Sequence, residues 1–474
     1  MIKLRNNEFC LLSIMQSCSV HNVSRSMHRM RSPKSNLRKF DPIKTDVVVP
    51  EMLTTVVPPS QTFNPSTNSL YAAIRPIIML AQCFSMFPVC GVNKPDASYL
   101  RFTWRSPKIL YTLIVFLGVS FMSVYNISWL FATGTNSTKI SKSMTTFVFY
   151  ITTLVTAVLF VRLAWQWPCL ALTWEKLEYE LTSRYREISK ITLATRFKIV
   201  TIVVMLLALV EHSASVVSAY VSAIECADHR GDTDIIGIYF QTQFPQIFSK
   251  LPYSLWKGIL VETINVLSTF SWNFVDLFLI LISIALADQF RQLNSRLYSI
   301  RGKAMPEWWW AEARSDYNHL ATLTRRVDSH ISCIVLLAFA TDLYFICIQL
   351  LFSFNPIRGI MRKIYYCFSF GFLLARTTAV SLYVASVHDE SLLPAPILYS
   401  VSGSSYSNEV SRFLMQVTTD NISLTGMKFF SVTRSLVLTV AGTIVTYELV
   451  LVQFNSVQQV DQSNITNSCE LFLT

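Results

Sequence analysis

The sequence predicts an all-α membrane protein with seven transmembrane helices, its N-terminus in the cytoplasm and its C-terminus outside the cell. Three observations lead there. Hydrophobic residues make up 52% of the 474 and charged ones only 15%, a balance foreign to a soluble chain of this length. Seven apolar runs each supply the ~20 residues that cross a bilayer core as a helix. Lys and Arg are divided unevenly between the segments joining those runs, which sets the orientation.

Residues 1–70 are rich in Ser, Asn, Pro, Lys and Arg without periodicity and read as a disordered cytoplasmic tail. Phe9 to Val20 lacks a small-residue cleavage site, so no secretory signal is expected. Residues 71–108 form a juxtamembrane segment. Leu70 to Val92 is apolar but interrupted by Arg75, Pro76, Gln82 and Pro88, which points to a helix or re-entrant piece at the inner interface rather than a span.

The membrane body, residues 109–454, contains the seven runs: Ile109–Phe131, Met144–Leu163, Ile199–Ile224, Gly258–Ala287, Cys333–Ser353, Ile364–Ser386 and Ser435–Phe454. With the N-terminus inside, 30 of the 40 Lys and Arg fall in inner segments and 8 in outer ones. Counting only basic residues near the membrane in the first segment leaves 20 against 8. The net charge of +11 is thereby explained by basic inner loops, and no nucleic-acid partner is implied. The sequons Asn136-Ser-Thr and Asn464-Ile-Thr both fall outside, the second in an extracellular tail, residues 455–474.

Helical spacing persists beyond the fourth span through Asp288-Gln-Phe-Arg-Gln-Leu-Asn-Ser-Arg-Leu, breaks at Met305-Pro306, and resumes from Glu307 with Leu320, Leu323 and Val327 on one stripe. Residues 288–332 are therefore expected to extend two helices below the membrane. Ten cysteines show no metal-binding spacing, and those in apolar runs, Cys83, Cys90, Cys333, Cys347 and Cys367, read as small buried thiols. No metal and no cofactor are expected, and no Ser/His/Asp or Cys/His constellation suggests an enzyme.

Polar residues recur inside the runs, where a charge costs ~2.5–3.5 kcal/mol on insertion scales. Glu262, Asn265, Thr269, Trp272 and Asp276 share one face of the fourth run. Glu211, Ser215, Ser218 and Ser222 line a face of the third; Thr145, Phe149, Thr152 and Thr156 one of the second; Asp342, Phe345, Gln349 and Ser353 one of the fifth. Such stripes imply a hydrated cavity in the outer half of the membrane. Carboxylates and amides beside aromatic faces suit sugar hydroxyls and ring C–H groups, so Glu262, Asn265, Trp272, Gln349, Tyr366 and Asp342 are the candidate ligand-binding residues. Interhelical hydrogen bonding is the competing reading of each one. Arg376, Asp276 and Glu211 are better suited to buried ion pairing.

The last run closes on Thr446-Tyr447-Glu448-Leu449-Val450-Leu451-Val452-Gln453-Phe454. This Thr-Tyr pair, five mainly apolar residues and Gln-Phe resembles the signature ending the last helix of insect gustatory receptors, with Glu448 pointing to the sugar-sensing subfamily. Met86-Phe-Pro-Val-Cys-Gly-Val, Leu100-Arg-Phe-Thr-Trp-Arg-Ser, Asp316-Tyr through Asp328-Ser-His-Ile and Leu343-Tyr-Phe-Ile-Cys-Ile-Gln-Leu-Leu are similar to that subfamily too. The chain departs from it at Thr341 and Asp342, where Asn is common. The resemblance implies an insect chemoreceptor-type channel: a homo- or hetero-tetramer in the plasma membrane of gustatory receptor neurons, opened by a mono- or disaccharide and passing cations. It further implies that the last helix lines the pore, with Thr446, Tyr447, Gln453 and Phe454 as pore or gate residues. An odorant-type channel of the same architecture is the alternative. A secondary transporter fits less well, since neither inverted repeats nor Gly/Pro-broken central helices are seen.

Overall fold

The computed structural model describes residues 69–132, 137–182, 191–231, 233–353 and 359–458. The expected tails, including Asn464, lie almost wholly outside the described residues.

The first helix, α1 (Leu70–Cys83), begins where Ser69 Oγ accepts from the Ala72 amide at 3.2 Å. Its 14 residues reach about 21 Å, short of a ~30 Å hydrocarbon core. Leu70, Tyr71, Ala73, Ile74, Ile77, Ile78 and Ala81 are buried against protein. The Tyr71 hydroxyl donates to the Lys94 carbonyl at 2.9 Å, and burial pushes that phenol up to about 12. Beyond α1 the chain turns sharply, with Ser85 and Phe87 at positive φ. That conformation is uncommon for residues with a side chain. It drives Phe87 into a fully buried nest of Phe160, Trp167 and Phe278 rings at 5.2–6.0 Å.

Six long helices follow: α2 (Pro107–Ala132), α3 (Ser137–Thr182), α4 (Leu193–Arg230), and, after two short helices α5 (Ile235–Gln243) and α6 (Pro245–Phe248), α7 (Leu255–Ser299), α8 (Glu307–Ser353) and α9 (Ile360–Leu392). All six are long and apolar enough to cross a membrane, which makes the chain a multi-pass membrane protein. Next come α10 (Pro394–Tyr399), α11 (Asn408–Thr419), an antiparallel pair β1 (Thr425–Gly426) and β2 (Phe430–Ser431), and α12 (Arg434–Gln458). The 25 residues of α12 correspond to the seventh expected run. Gln453 and Phe454 lie on its backbone path, but their side chains are outside the described residues.

Helix α7 is the axis of the bundle. Of its most apolar stretch 94% is buried, against 22% for α2 and α4, and it packs on α9, α4, α8 and α3. The second apolar run extends well past Leu163, through Pro168 to Thr182, because Leu170, Ala171, Trp174 and Leu181 go on burying one face. At 45 and 47 residues, α7 and α8 are each over twice the length a bilayer core requires. Their connection contains Pro306, and Leu320, Leu323 and Val327 are buried as their spacing predicts. The cysteine expectation is corrected: Cys83 and Cys367 are exposed on outward helix faces, and Cys90, Cys333 and Cys347 are half-buried.

The two ends of the bundle differ. One carries α5 and α6; the other carries α11 and the β-hairpin. At the hairpin end the buried Asp328 carboxylate accepts from the Thr425 amide at 2.6 Å, the Thr425 hydroxyl at 3.0 Å and Lys428 Nζ at 2.6 Å. This ties the hairpin to α8 directly ahead of α12. Met427 and Lys428 occupy the turn at positive φ.

Candidate functional site

Two polar layers cross the bundle. The deeper one is an ion-pair cluster. Arg376 of α9 places Nε 2.7 Å from Asp276 of α7, Nη1 2.5 Å from Asn273 Oδ1, and Nη2 3.4 Å from Asp342 of α8. Thr377 donates to the other Asp342 oxygen at 2.9 Å. The guanidinium lies 4.3 Å from the Trp272 ring centroid, a cation–π arrangement. Phe345 and Phe149 pack on the same tryptophan at 4.7 and 6.2 Å. Asp276, Asp342 and Arg376 are 1%, 2% and 4% exposed. The expected ion pairing of Arg376 with Asp276 is present. Asp342, expected among ligand-binding residues, has both oxygens engaged here, because the adjacent residues Arg376 and Thr377 of the facing helix each take one.

The second layer lies toward the α5 end. Glu262 of α7 is 3.7 Å from His212 Nε2 of α4 and 3.5 Å from the Tyr239 hydroxyl of α5. Gly258 permits this meeting, since a Cβ there would come 2.7 Å from the Phe240 ring and push α5 off α7. Burial first, and then the Glu262 carboxylate, push the Tyr239 phenol upward, so it remains a hydrogen-bond donor. Beside it, Glu211 accepts from Ser369 Oγ at 2.8 Å, and Gln349 Nε2 stands 3.5 Å from the same hydroxyl. Gln349 Oε1 is buried without a partner among the described residues. The Tyr366 hydroxyl donates to the Gln349 backbone carbonyl at 2.5 Å. Asn265 is half-buried and its side-chain amide bonds to no protein group among the described residues.

Glu262 therefore meets His212 and Tyr239, Gln349 and Tyr366 meet each other beside Ser369 and Glu211, and Trp272 and Asp342 belong to the deeper layer. Glu211 takes a serine instead of an ion-pair partner. Sequence spacing did not find Tyr239 or Ser369. Tyr239 sits on a nine-residue helix between two spans, where no apolar run drew notice; Ser369 is an ordinary serine whose role depends on which helix faces it. A groove of about 410 Å³ between α4 and α9, lined by Leu209, Val217, Met361 and Ile364, includes none of the expected ligand residues. Among the described residues no group of three or more His, Cys, Asp or Glu could hold a metal. Thr446 donates to the Gly442 carbonyl at 2.9 Å, and Tyr447 is exposed on α12.

A bundle of this kind defines a class. It is similar in fold to the insect olfactory receptor OR5 from Machilis hrabei solved with eugenol, with a TM-score of 0.60, 14% identity, and coverage of 80% of this chain and 97% of that one. Its sequence narrows the class further. The trehalose receptor family matches residues 30–469. The chain is 38% identical over 401 residues to "Gustatory receptor for sugar taste 64f" of Drosophila melanogaster, covering 84% of each. It is 35% identical over 388 residues to "Gustatory receptor 5a for trehalose" of the same fly, covering 82% of this chain and 86% of that one. The protein belongs to the sugar-sensing subfamily of the insect gustatory receptors, a receptor family and not an enzyme family.

Proposed function

We propose that this chain is a sugar-gated, non-selective cation channel subunit of the gustatory neuron plasma membrane, with seven spans, a cytoplasmic N-terminus and an extracellular C-terminus. The observation that carries the reading is the unspent hydrogen-bonding capacity of the α5-end layer. Glu262 has only long contacts, Gln349 Oε1 has none, and Asn265 has no side-chain partner. A polyhydroxylated ligand supplies both donors and acceptors at once. Its ring can rest on Trp272, which Arg376 and Phe345 hold in orientation. In this reading Glu262, Asn265, Gln349 and Tyr366 bind sugar with Tyr239 above them, Trp272 forms the floor, and Asp342 acts through Arg376. The names of the relatives, for sugar taste and for trehalose, favour a mono- or disaccharide.

Helix α12 is the candidate pore element. Leu438, Val445 and Tyr447 stand exposed on it in the single chain, as expected of a helix whose partners are copies in a homo- or hetero-tetramer. Thr446, Tyr447, Gln453 and Phe454 would line the pathway, where an aromatic ring dewets a narrow pore and an amide partly hydrates an ion. Sugar opens the pore to the extent that it binds the open state better than the closed one. The test is whole-cell current from cells expressing this chain during perfusion with individual sugars. A rapid cation current is expected, with its sugar dose–response moved to higher concentration by Glu262→Gln and its permeation altered by Phe454→Ala. Sugar uptake without current would overturn the channel reading.

A further inference from the structure

Between α1 and α2 the chain forms a loop with a firmly braced backbone. Cys90 and Arg101 exchange backbone hydrogen bonds at 2.8 and 3.0 Å. Gly91 closes that bridge at positive φ, where a Cβ would collide with the Tyr99 carbonyl. From α1, the Tyr71 hydroxyl donates to the Lys94 carbonyl at 2.9 Å and Arg75 Nη2 to the Asn93 carbonyl at 2.8 Å. Asp96 caps the single turn Ala97–Tyr99, accepting from the Ser98 amide at 2.9 Å. Phe102 packs on the core and carries the Trp104 ring edge-on, with centroids 5.1 Å apart.

The groups this loop turns outward are cations and aromatic rings. Lys94, Arg101 and Arg105 are exposed, and their side chains make no ion pair or hydrogen bond among the described residues. Trp104 is 67% exposed and Tyr99 45%. The nearby acids do not balance them: Asp96 is taken up in its cap, and Glu175 of α3 is half-buried. Unpaired cations held in fixed positions call for a counter-charge from outside the chain. Its place follows from the neighbours, since the loop runs straight into α2, a membrane-length helix, while α1 before it is too short to span. At a cytoplasmic membrane surface anionic headgroups attract Lys and Arg, and indole and phenol rings settle at headgroup depth.

We propose that loop 93–106 is a docking surface for anionic phospholipids of the cytoplasmic leaflet. Lys94, Arg101 and Arg105 meet the headgroup charges, and Trp104 seats the loop at the interface. The bound lipid thereby anchors the foot of α2. The proposal rests on the cytoplasmic N-terminus of the topology proposed above.

The test uses the full-length protein in detergent, with short-chain phosphatidylserine as probe and phosphatidylcholine of the same chain length as control. Native mass spectrometry counts bound lipid. Tighter binding of phosphatidylserine is expected, weakening as salt is raised. Arg101→Gln with Arg105→Gln changes exposed side chains that have no polar contacts, so the protein should fold while phosphatidylserine affinity falls roughly tenfold or more. Arg301→Gln with Lys303→Gln removes the same charge from the exposed α7–α8 connection and should leave the affinity unchanged. No preference for phosphatidylserine in the wild type, or equal losses in the two double variants, would overturn the proposal. Poly-glutamate binding that is lost in the Arg101/Arg105 variant while phosphatidylserine binding persists would assign the loop to an acidic protein segment and overturn it as well. The leaflet is tested separately with Thr103→Cys, an exposed position, and a membrane-impermeant maleimide on expressing cells. Labelling above the wild-type background is expected only after permeabilisation. Labelling of intact cells would overturn the topology, and the inner-leaflet assignment with it, whatever the lipid preference.

Discussion

Asp328 at the hairpin end and Glu262 at the α5 end of the same bundle are held in opposite ways. At the hairpin end Asp328 takes a backbone amide, a hydroxyl and an ammonium at 3.0 Å or less. Glu390 receives Arg291 at 2.7 Å and Asn294 at 3.2 Å, and Glu178 receives the Leu70 amide and Gln289. At the α5 end the shortest protein contact of Glu262 is 3.5 Å, and Gln349 keeps an unpaired oxygen. Filled carboxylates hold elements together; a carboxylate with spare lone pairs at partial burial awaits an exchangeable partner. One end is built as scaffold, the other holds the residues proposed to bind sugar, and the Arg376 layer lies between them.

That contrast can be broken by substitution. The largest effect is expected at the dividing layer: Arg376→Met leaves two buried carboxylates without a counter-charge, at about 3–5 kcal/mol. Thermal melts and surface expression would register it, and a wild-type melt would remove the ion pair from the structural account. Phe87→Ala empties the aromatic nest next to α1 and should cost about 3–5 kcal/mol by the same measurement. Asp328→Asn weakens the charge-assisted bonds to Thr425, at about 1.5–3 kcal/mol. Lys428 adds little to that figure because it is mostly exposed. At the α5 end the pattern reverses. Glu262→Gln should shift stability by less than about 0.5 kcal/mol yet raise the half-maximal sugar concentration roughly tenfold or more, the loss of one hydrogen bond to a charged group. Tyr239→Phe is the mildest: about two- to tenfold in dose–response, with an unchanged melt. Should Glu262→Gln destabilise as strongly as Asp328→Asn, the distinction between the ends fails.

Much of this was legible from sequence. Apolar runs located the six membrane-length helices, since a helix crossing lipid must satisfy its own backbone and present apolar side chains over a set length. The break at Pro306 and the Leu320/Leu323/Val327 stripe follow from local chemistry alone. The outcome was less complete where the predicted property depended on neighbours. Cys83 and Cys367 sit in or beside apolar runs yet face outward, because in a membrane apolar does not mean buried in protein.

By itself the sequence determined the family, the six membrane-length helices and the faces on which Glu262, Asp276, Gln349 and Asp342 lie. Only the tertiary structure decided how those faces meet. Periodicity assigns a residue to a side of its own helix, but partner choice depends on axial depth and on which helix is adjacent. Asp276 and Arg376 are separated by 100 positions and find each other because α7 and α9 pack at the same level. Asp342 and Gln349 share a stripe on α8, yet seven residues are about 10 Å of rise, enough to put one in the ion-pair layer and the other in the layer that faces α5.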